Sequence, residues 1–179
     1  MITTTASEDR TFRLNDGRLL GYREFGNPEG HPVFLFHGIP GSRRGAEIVT
    51  EQAAQRGLRI IGVDRPGIGL STFQPDRTFL DWPPDVLSLA NSLGFEQFAV
   101  VGNSGGAAYV AACAARFPER LSFSGIISGM GPLDIPDGIN RLSLSRSDRM
   151  LARLAQRSPR LACRIAAPIL AREIDPDHP

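Results

Sequence analysis

Short apolar runs alternate with polar, glycine-rich stretches along most of the chain. Four runs have the length of β-strands and are largely apolar: "VFLF" (33–36), "LRIIGV" (58–63), "FAVV" (98–101) and "LSFSGIIS" (121–128). Near-continuous apolar runs of this length are typical of strands buried on both faces of a parallel sheet. The stretches between them predict helices over about 46–56, 83–93 and 104–116, which gives repeated strand–loop–helix units.

The N-terminal segment follows a different pattern. "TFRL" and "LLGYREFG" flank Asp16 and Gly17, and glycine supplies the positive φ of a tight hairpin turn. We therefore predict an α/β domain over residues 10–133, with a mostly parallel sheet preceded by an antiparallel hairpin. Residues 1–9 predict a flexible tail. The loops at the carboxyl ends of parallel strands carry function, which singles out 37–45, 64–73 and 102–106.

The pattern changes after residue 130. "GPLDIPDG" is rich in proline and glycine and predicts a linker. From about Ile139 to Arg172 the apolar positions recur at helical spacing, and no further strand-like run is present. We therefore predict a helical segment over 134–179 and a sheet that ends, within this chain, after about its sixth strand. An apolar strand with an unpaired edge also predicts self-association through that edge.

The composition excludes several catalytic mechanisms and classes of partner. The chain has 179 residues, a formal net charge of +1 and 20 basic residues, all of them arginine. The absence of lysine excludes a P-loop, a Schiff base and a Ser–Lys dyad, and the near-neutral charge predicts neither a nucleic-acid nor a membrane partner. We expect no cofactor and no metal, because Cys113 and Cys163 fit small core residues rather than a zinc pattern. The polar N-terminus lacks a signal-peptide pattern, so we expect a cytoplasmic protein.

One serine lies at the junction of a predicted strand and a predicted helix. Residues 102–106 read "GNSGG" and fit G-x-S-x-G, in which a sharp turn lifts the serine hydroxyl clear of the sheet. Gly102 and Gly106 suit this turn, because the residues on either side of the serine approach each other closely. The backbone N–H of Gly105 then lies beside the reacting carbonyl, at the start of a helix. The sequence therefore predicts Ser104 as a nucleophile.

A second glycine-rich loop follows the strand "VFLF". Acyl transfer needs a second oxyanion donor from an earlier loop, and in "HGIPGS" the backbone N–H of Ile39 is the candidate. His37 begins this loop. It is open to two interpretations, a catalytic base or a ring that supports the loop by hydrogen bonds, and we favour loop support.

The motifs "HGIPGS", "DRPGIGLS" and "GNSGG", in this order, make residues 11 to 133 similar to the α/β-hydrolase superfamily. The segment most resembles the small bacterial hydrolases of the esterase, haloperoxidase and epoxide-hydrolase-like branch. The resemblance implies that Ser104 is the nucleophile, that the N–H groups of Ile39 and Gly105 are the oxyanion donors, and that Asp64–Ser71 buttress the site. We interpret Asp64 and Arg65 as structural. The resemblance also implies that 134–179 is part of a helical cap.

The chain departs from the family in its acid and base. The family order is Ser, then Asp or Glu, then His, whereas the sole histidine after Ser104 is His178, next to the last residue. No predicted strand would hold His178 within reach of the serine, so we do not expect it to be the base. Asp134 or Asp137 is the candidate acid, because some family members place it after strand six, although a linker carboxylate is more often simply solvated. The chain therefore resembles a truncated member.

We predict a serine hydrolase that cleaves an ester or similar acyl bond of a small-molecule substrate and that is nearly inactive as this chain, because its base is missing. The alternative is a non-catalytic ligand-binding or interaction domain on the same scaffold. Dinucleotide binding is disfavoured, since "GNSGGA" lacks G-x-G-x-x-G. Ser104 also argues against the epoxide hydrolases and dehalogenases of this family, which use an aspartate nucleophile, while perhydrolase chemistry remains open as a side reaction.

Overall fold

A computed structural model describes residues 8–129, 131 and 145–174 of the chain. The chain divides into two compact units, Met1–Met130 and Gly131–Pro179. The described part of the first unit is an α/β domain with a six-stranded sheet. The described part of the second contains two helices.

The sheet has the predicted architecture. Its spatial order is β1-β2-β4-β3-β5-β6; β1 pairs with β2 and β2 with β4 in antiparallel fashion, and the other three pairs are parallel. The N-terminal antiparallel hairpin and the mostly parallel sheet are thus confirmed. The strands are β1 (Arg10–Arg13), β2 (Leu19–Gly26), β3 (His31–Phe36), β4 (Leu58–Val63), β5 (Phe98–Asn103) and β6 (Leu121–Ile127).

Helices connect the parallel strands near the predicted positions. They are α1 (Thr50–Gln55), α2 (Trp82–Ser92) and α3 (Ala107–Arg116), and short 3-10 helices lie at Arg43–Val49, Phe79–Asp81, Ser104–Gly106 and Pro118–Arg120. The predicted helix over 46–56 is therefore α-helical only in its second half. Its first part belongs to the 3-10 helix Arg43–Val49, which begins at a residue tied to the loop after β4, since the backbone N–H of Arg43 donates to the Asp64 carboxylate at 2.7 Å.

The hairpin turn forms where the sequence predicts it. The N–H of Gly17 donates to the Leu14 carbonyl at 2.9 Å, and Gly17 has a φ of 87°. Asp9, which the sequence assigned to a tail, contacts the guanidinium groups of Arg43 and Arg23. The end of the predicted tail is thus tied to the domain, and residues 1–7 lie outside the described part.

Two apolar clusters cover the faces of the sheet. Phe34 and Phe36 pack with Trp82 and Val110 from α2 and α3, whereas Val33 packs with residues from the α1 side. Phe34, Phe36, Ile61, Val63 and Val100 are completely or almost completely buried. Fully burying one such side chain stabilises a fold by roughly 1.5–3 kcal/mol. The near-continuous apolar runs are therefore central strands, as their pattern indicates.

Strand β6 is the last strand of the sheet in the described part of the chain. It pairs with β5 along one edge, from Phe98↔Leu121 to Asn103↔Ile127. Its apolar side chains are unusually exposed, with Phe123 at 61%, Ile126 at 54% and Ile127 at 57%. The strand itself was predicted, but these three side chains are exposed, and of its apolar side chains only Leu121 packs against the core.

The second unit contains α4 (Arg146–Arg157) and α5 (Pro159–Ile174), which contact each other. Pro159 begins α5, where a missing N–H costs nothing. Cys163 is exposed on α5, so its prediction as a core residue is wrong, while Cys113 of α3 is buried. Helical periodicity predicted the helix but did not show which of its faces would be buried, so it could not place Cys163. None of the helices in the described ranges is long and apolar enough to cross a membrane.

Candidate active site

Three loops meet at the carboxyl edge of the central strands. Phe36 of β3 is paired with Val63 of β4 on one side and with Gly102 of β5 on the other. The residues that follow these strand ends, 37–42, 64–71 and 104–106, therefore lie at one edge of the sheet. The sequence singled out these loops for this reason.

Ser104 occupies the turn between β5 and α3. Strand β5 ends at Asn103, Ser104–Gly106 form a 3-10 turn, and α3 begins at Ala107. Ser104 has a φ of 48°, in the left-handed region that residues other than glycine rarely adopt. Strain of this kind persists only where the surrounding structure enforces it, and it is concentrated at functional sites.

Two glycines make this turn sterically feasible. A side chain at Gly102 would place its Cβ 2.5 Å from the Gly106 carbonyl oxygen and 2.7 Å from Val110 Cγ2. A Cβ at Gly106 would overlap the carbonyl oxygen of Phe36 on β3. Because these contacts are mostly with backbone atoms, a side chain could not move aside to relieve them. Glycine is therefore required at both positions.

The loop after β3 lies directly against Ser104. A Cβ at Gly38 would come within 3.3 Å of Ser104 Cβ and 2.6 Å of Asn103 Oδ1. The side chain of Ile39 lies over Gly105, since a Cβ there would be 2.9 Å from Ile39 Cγ1. The two residues predicted as oxyanion donors are thus neighbours beside Ser104.

His37 is buried and both of its ring nitrogens are engaged by backbone groups. Nδ1 lies 2.9 Å from the Gly38 carbonyl, which can only accept, and Nε2 lies 3.4 Å from the backbone N–H of Arg65, which can only donate. Burial, and next the positive charge of Arg65, lower the pKa of His37 to about 4. His37 is therefore a neutral ring with its proton on Nδ1 at neutral pH. Its two ring nitrogens thus contact backbone groups of the loops after β3 and β4, and its assignment as a loop support stays a prediction.

Arg65 joins the loop after β4 to the loop after β3. Its guanidinium donates from Nη1 to the His37 carbonyl at 2.9 Å and from Nη2 to the Gly38 carbonyl at 2.8 Å. Arg65 is 4% exposed. Its charge also lies over the ring of Tyr109, with Cζ 5.3 Å from the ring centroid. Burial lowers the pKa of Arg65, and nearby Arg77 lowers it further.

Asp64 and Ser71 hold the rest of this loop. The fully buried carboxylate of Asp64 accepts hydrogen bonds from the backbone N–H of Arg43 at 2.7 Å, from Arg43 Nη1 at 2.7 Å and from the N–H of Leu70 at 2.9 Å. Ser71 Oγ donates to the Asp64 carbonyl at 2.8 Å and accepts from the N–H of Gly21. These bonds connect the loop to β2 and to the segment after β3.

An aromatic cluster that the sequence did not single out lies beside Arg65. Tyr109 of α3 packs edge-to-face against Phe79 and Trp82, and its hydroxyl accepts a hydrogen bond from Arg77 Nη1 at 2.8 Å. Tyr109 follows Ser104 by little more than one helical turn. Its position on the inward face of α3 is the only sequence signal that could have identified it.

The structure does not bring an acid or a base to Ser104 within its described ranges. No side chain there accepts a hydrogen bond from the Ser104 hydroxyl. Asp134, the predicted acid, its alternative Asp137, and His178 all lie outside the described residues. The nucleophile and oxyanion assignments stay predictions, supported by the elbow geometry.

The chain is similar to a large group of hydrolases. A family model described as "alpha/beta hydrolase fold" matches residues 31–132, more than half of the chain. A proline iminopeptidase of Xylella fastidiosa is 32% identical over 112 residues, which cover 61% of this chain and 36% of that protein. A bifunctional esterase/perhydrolase of Acinetobacter calcoaceticus is 30% identical over 131 residues, which cover 69% of this chain and 48% of that protein.

The fold has close structural counterparts as well. An epoxide hydrolase from Vigna radiata superposes with a TM-score of 0.61 at 23% identity, over 81% of this chain and 45% of that chain. The present chain thus spans less than half of each of these three proteins.

Proposed function

The chain belongs to the α/β-hydrolase family, and on that premise we propose that it carries the nucleophile and the oxyanion donors of a serine hydrolase. The bond attacked is an ester or a similar acyl bond of a small molecule. The single observation that carries the proposal is the backbone of Ser104, a non-glycine residue at a φ of 48° between a central strand and a helix. The names of two of the similar proteins, a proline iminopeptidase and a bifunctional esterase/perhydrolase, support this class of bond.

In the proposed reaction, Ser104 Oγ attacks the acyl carbon and its proton passes to a histidine base. The carbonyl oxygen becomes an oxyanion, which accepts hydrogen bonds from the N–H groups of Ile39 and Gly105. The bond to the leaving group then breaks and the base returns the proton to that group. Water subsequently hydrolyses the acyl-serine in the same way.

The base of this reaction is not supplied by His37. A base needs a free nitrogen within about 3 Å of the hydroxyl, whereas both nitrogens of His37 contact backbone groups. We therefore expect the 179-residue chain by itself to react slowly. A positioned base contributes roughly 10²–10⁴ in rate, which sets the size of the deficit.

A fluorophosphonate probe with added imidazole tests the proposal. Attack of Ser104 Oγ on phosphorus forms an O–P bond and expels fluoride, and imidazole accepts the hydroxyl proton. We expect slow labelling of Ser104, measured by peptide mass spectrometry, and a rate that rises with imidazole concentration. Ser104→Ala removes the predicted nucleophile and should abolish labelling at this position. His37→Asn tests whether His37 is the base, and because we assign the base elsewhere, this variant should still respond to imidazole.

Each outcome of this experiment has a definite meaning. Labelling of Ser104 no greater than in S104A, with or without imidazole, would overturn the nucleophile. Thermal stabilisation by an ester without turnover would then favour the alternative, a ligand-binding domain on the same scaffold. Rapid labelling without imidazole would contradict the missing base but support the nucleophile.

A further inference from the structure

We propose that Arg65 is a positioning residue for acyl transfer, because it fixes the direction in which the Ile39 N–H points. The inference rests on the proposed function, in which this N–H is an oxyanion donor. Arg65 itself touches neither the serine hydroxyl nor the reacting atoms. It acts mainly through the peptide between Gly38 and Ile39, and its charge adds an electrostatic contribution.

The argument begins with peptide geometry. A trans peptide is planar, and its C=O and N–H point in opposite directions. The Gly38–Ile39 peptide is trans, since the cis bond lies one residue further on, between Ile39 and Pro40. The Gly38 carbonyl points to Arg65 Nη2, 2.8 Å away. The Ile39 N–H must therefore point away from the Arg65 guanidinium.

The same guanidinium also fixes the preceding peptide. Its Nη1 donates to the His37 carbonyl at 2.9 Å, so two successive carbonyls are held by one planar fork. His37 Nδ1 provides the Gly38 carbonyl with a second donor at 2.9 Å. Gly38 has no side chain and glycine tolerates most backbone angles, so its own conformational preference would not oppose rotation of this peptide if these bonds were lost. Arg65 and His37 thus restrain a peptide that would otherwise be free to flip.

The charge of Arg65 distinguishes it from the buried Arg43 and the partly buried Arg18. Arg43 pairs with Asp64 and Arg18 with Asp85, in both cases at 2.7–2.8 Å. Among the described residues no carboxylate pairs with Arg65. A buried cation without a counter-ion is costly, and an apolar residue would fill the space more cheaply if packing were the only requirement.

The location of this charge suits the proposed reaction. A Cβ built on Gly105 would lie 3.7 Å from Arg65 Nη1, so the guanidinium is next to the backbone of the second oxyanion donor. Negative charge develops on the substrate beside that backbone in the transition state. A fixed positive charge in a site of low dielectric favours it without any reorganisation.

Phenylboronic acid offers a test that does not require a base to be positioned in the chain. Ser104 Oγ adds to the trigonal boron and the hydroxyl proton is released to buffer. The resulting tetrahedral boronate is an anion, with its formal charge on boron, and it places a boron-bound hydroxyl oxygen where the oxyanion would form. We would follow the adduct by ¹¹B NMR and the backbone amides by ¹⁵N–¹H spectra. In the wild-type chain the amide protons of Ile39 and Gly105 should both move downfield on binding, and Ser104→Ala should abolish the signal.

Substitution of Arg65 should then separate the two donors. Arg65→Met should weaken boronate binding by about 10²-fold, the effect of losing one oxyanion donor, and should abolish the shift of Ile39 while that of Gly105 remains. Arg65→Lys keeps the charge but lacks the fork that reaches two carbonyls. This variant tests the same point if R65M does not fold, and it should bind with an intermediate affinity, about tenfold weaker than wild type.

A matched control is Arg18→Met. Arg18 is a largely buried arginine whose Nη1 and Nη2 contact the Asp85 carboxylate at 2.8 Å, away from the loop after β3. This variant should lower the melting temperature but leave boronate affinity unchanged. Equal affinity and equal Ile39 shifts in wild type, R65K and R65M would overturn the role of Arg65. Absence of any tetrahedral adduct in the wild type would instead overturn the proposed function, and the role of Arg65 with it.

Discussion

Acidification should destabilise the folded chain through His37. The folded ring has a pKa of about 4 because it is buried beside Arg65, whereas the ordinary value is 6.5. As the pH falls below about 6.5, the unfolded state binds a proton that the folded state does not accept until about pH 4. The stability contributed by His37 is therefore complete above about pH 6.5 and is lost progressively down to about pH 4.

The magnitude follows from the shift in pKa. The difference between 6.5 and about 4, at about 1.4 kcal/mol for each pKa unit, gives a loss of about 3 kcal/mol in the free energy of unfolding. The hydrogen bonds also predict a loss of stability on protonation. A proton on Nε2 would replace the acceptor of the Arg65 backbone N–H, 3.4 Å away, with a second donor. Hydrogen bonds lower the pKa of Asp9, Asp16 and Asp81, so the losses from these groups occur mainly at lower pH. Burial raises the pKa of Asp85, so this group acts in the opposite direction, and it is common to the wild type and to a His37 variant.

Urea unfolding at a series of pH values between about 4 and 8 measures the effect. His37→Asn is the control, because its amide keeps a donor near Nδ1 but does not titrate. The stability of wild type relative to H37N should be constant above about pH 6.5 and should decline by about 3 kcal/mol towards pH 4. A difference that stays constant over that range, or a ring that titrates near pH 6.5 by NMR, would refute the reasoning.

Two further predictions concern the elbow and the sheet edge. Gly106→Ala should lower the free energy of unfolding by about 3 kcal/mol or more, because its Cβ would overlap a backbone carbonyl. Gly131→Ala should have little effect, because apart from its chain neighbours no atom of the described residues lies within 4 Å of an added Cβ, and urea midpoints compare the two variants. The 179-residue chain should self-associate through β6 in sedimentation velocity, and Phe123→Lys with Ile127→Lys should shift it to monomer. Phe73→Ser removes an equally exposed aromatic from a loop as the control, and an unchanged distribution in the β6 variant would exclude this edge.

The sheet could be predicted because each of its strands has a recognisable pattern within a few consecutive residues. "VFLF" and "FAVV" have no polar position that could face solvent, so they are central strands, and β3 and β5 are indeed neighbours. The segment 46–56 shows the limit of local patterns. Its first part lies in the 3-10 helix that begins at Arg43, and Arg43 contacts Asp64, a residue far from it in sequence. Hydropathy carries no information about such a contact.

The site could be predicted only in part, and for a similar reason. Ser104 and its flanking glycines lie within five consecutive residues, so one short pattern contains the whole steric argument for the elbow. The loop after β3 was assigned through glycines that permit close approach, and the structure gives the approach at Gly38. By contrast, the contacts of Arg65 and Tyr109 join different loops and leave no pattern in the sequence.

Arg65 also shows why residue type alone could not reveal its role. Every basic residue in this chain is arginine, so the presence of arginine at a position does not indicate that a planar fork is needed there. Only the arrangement of acceptors separates the cases. Arg43 and Arg18 direct their forks at carboxylates, where the charges balance, whereas Arg65 directs its fork at two successive carbonyls of a glycine loop. Desolvating this buried charge is costly because no carboxylate of the described residues pairs with it. The proposed role of Arg65, which is to fix the direction of the Ile39 N–H through these two carbonyls, accounts for that cost.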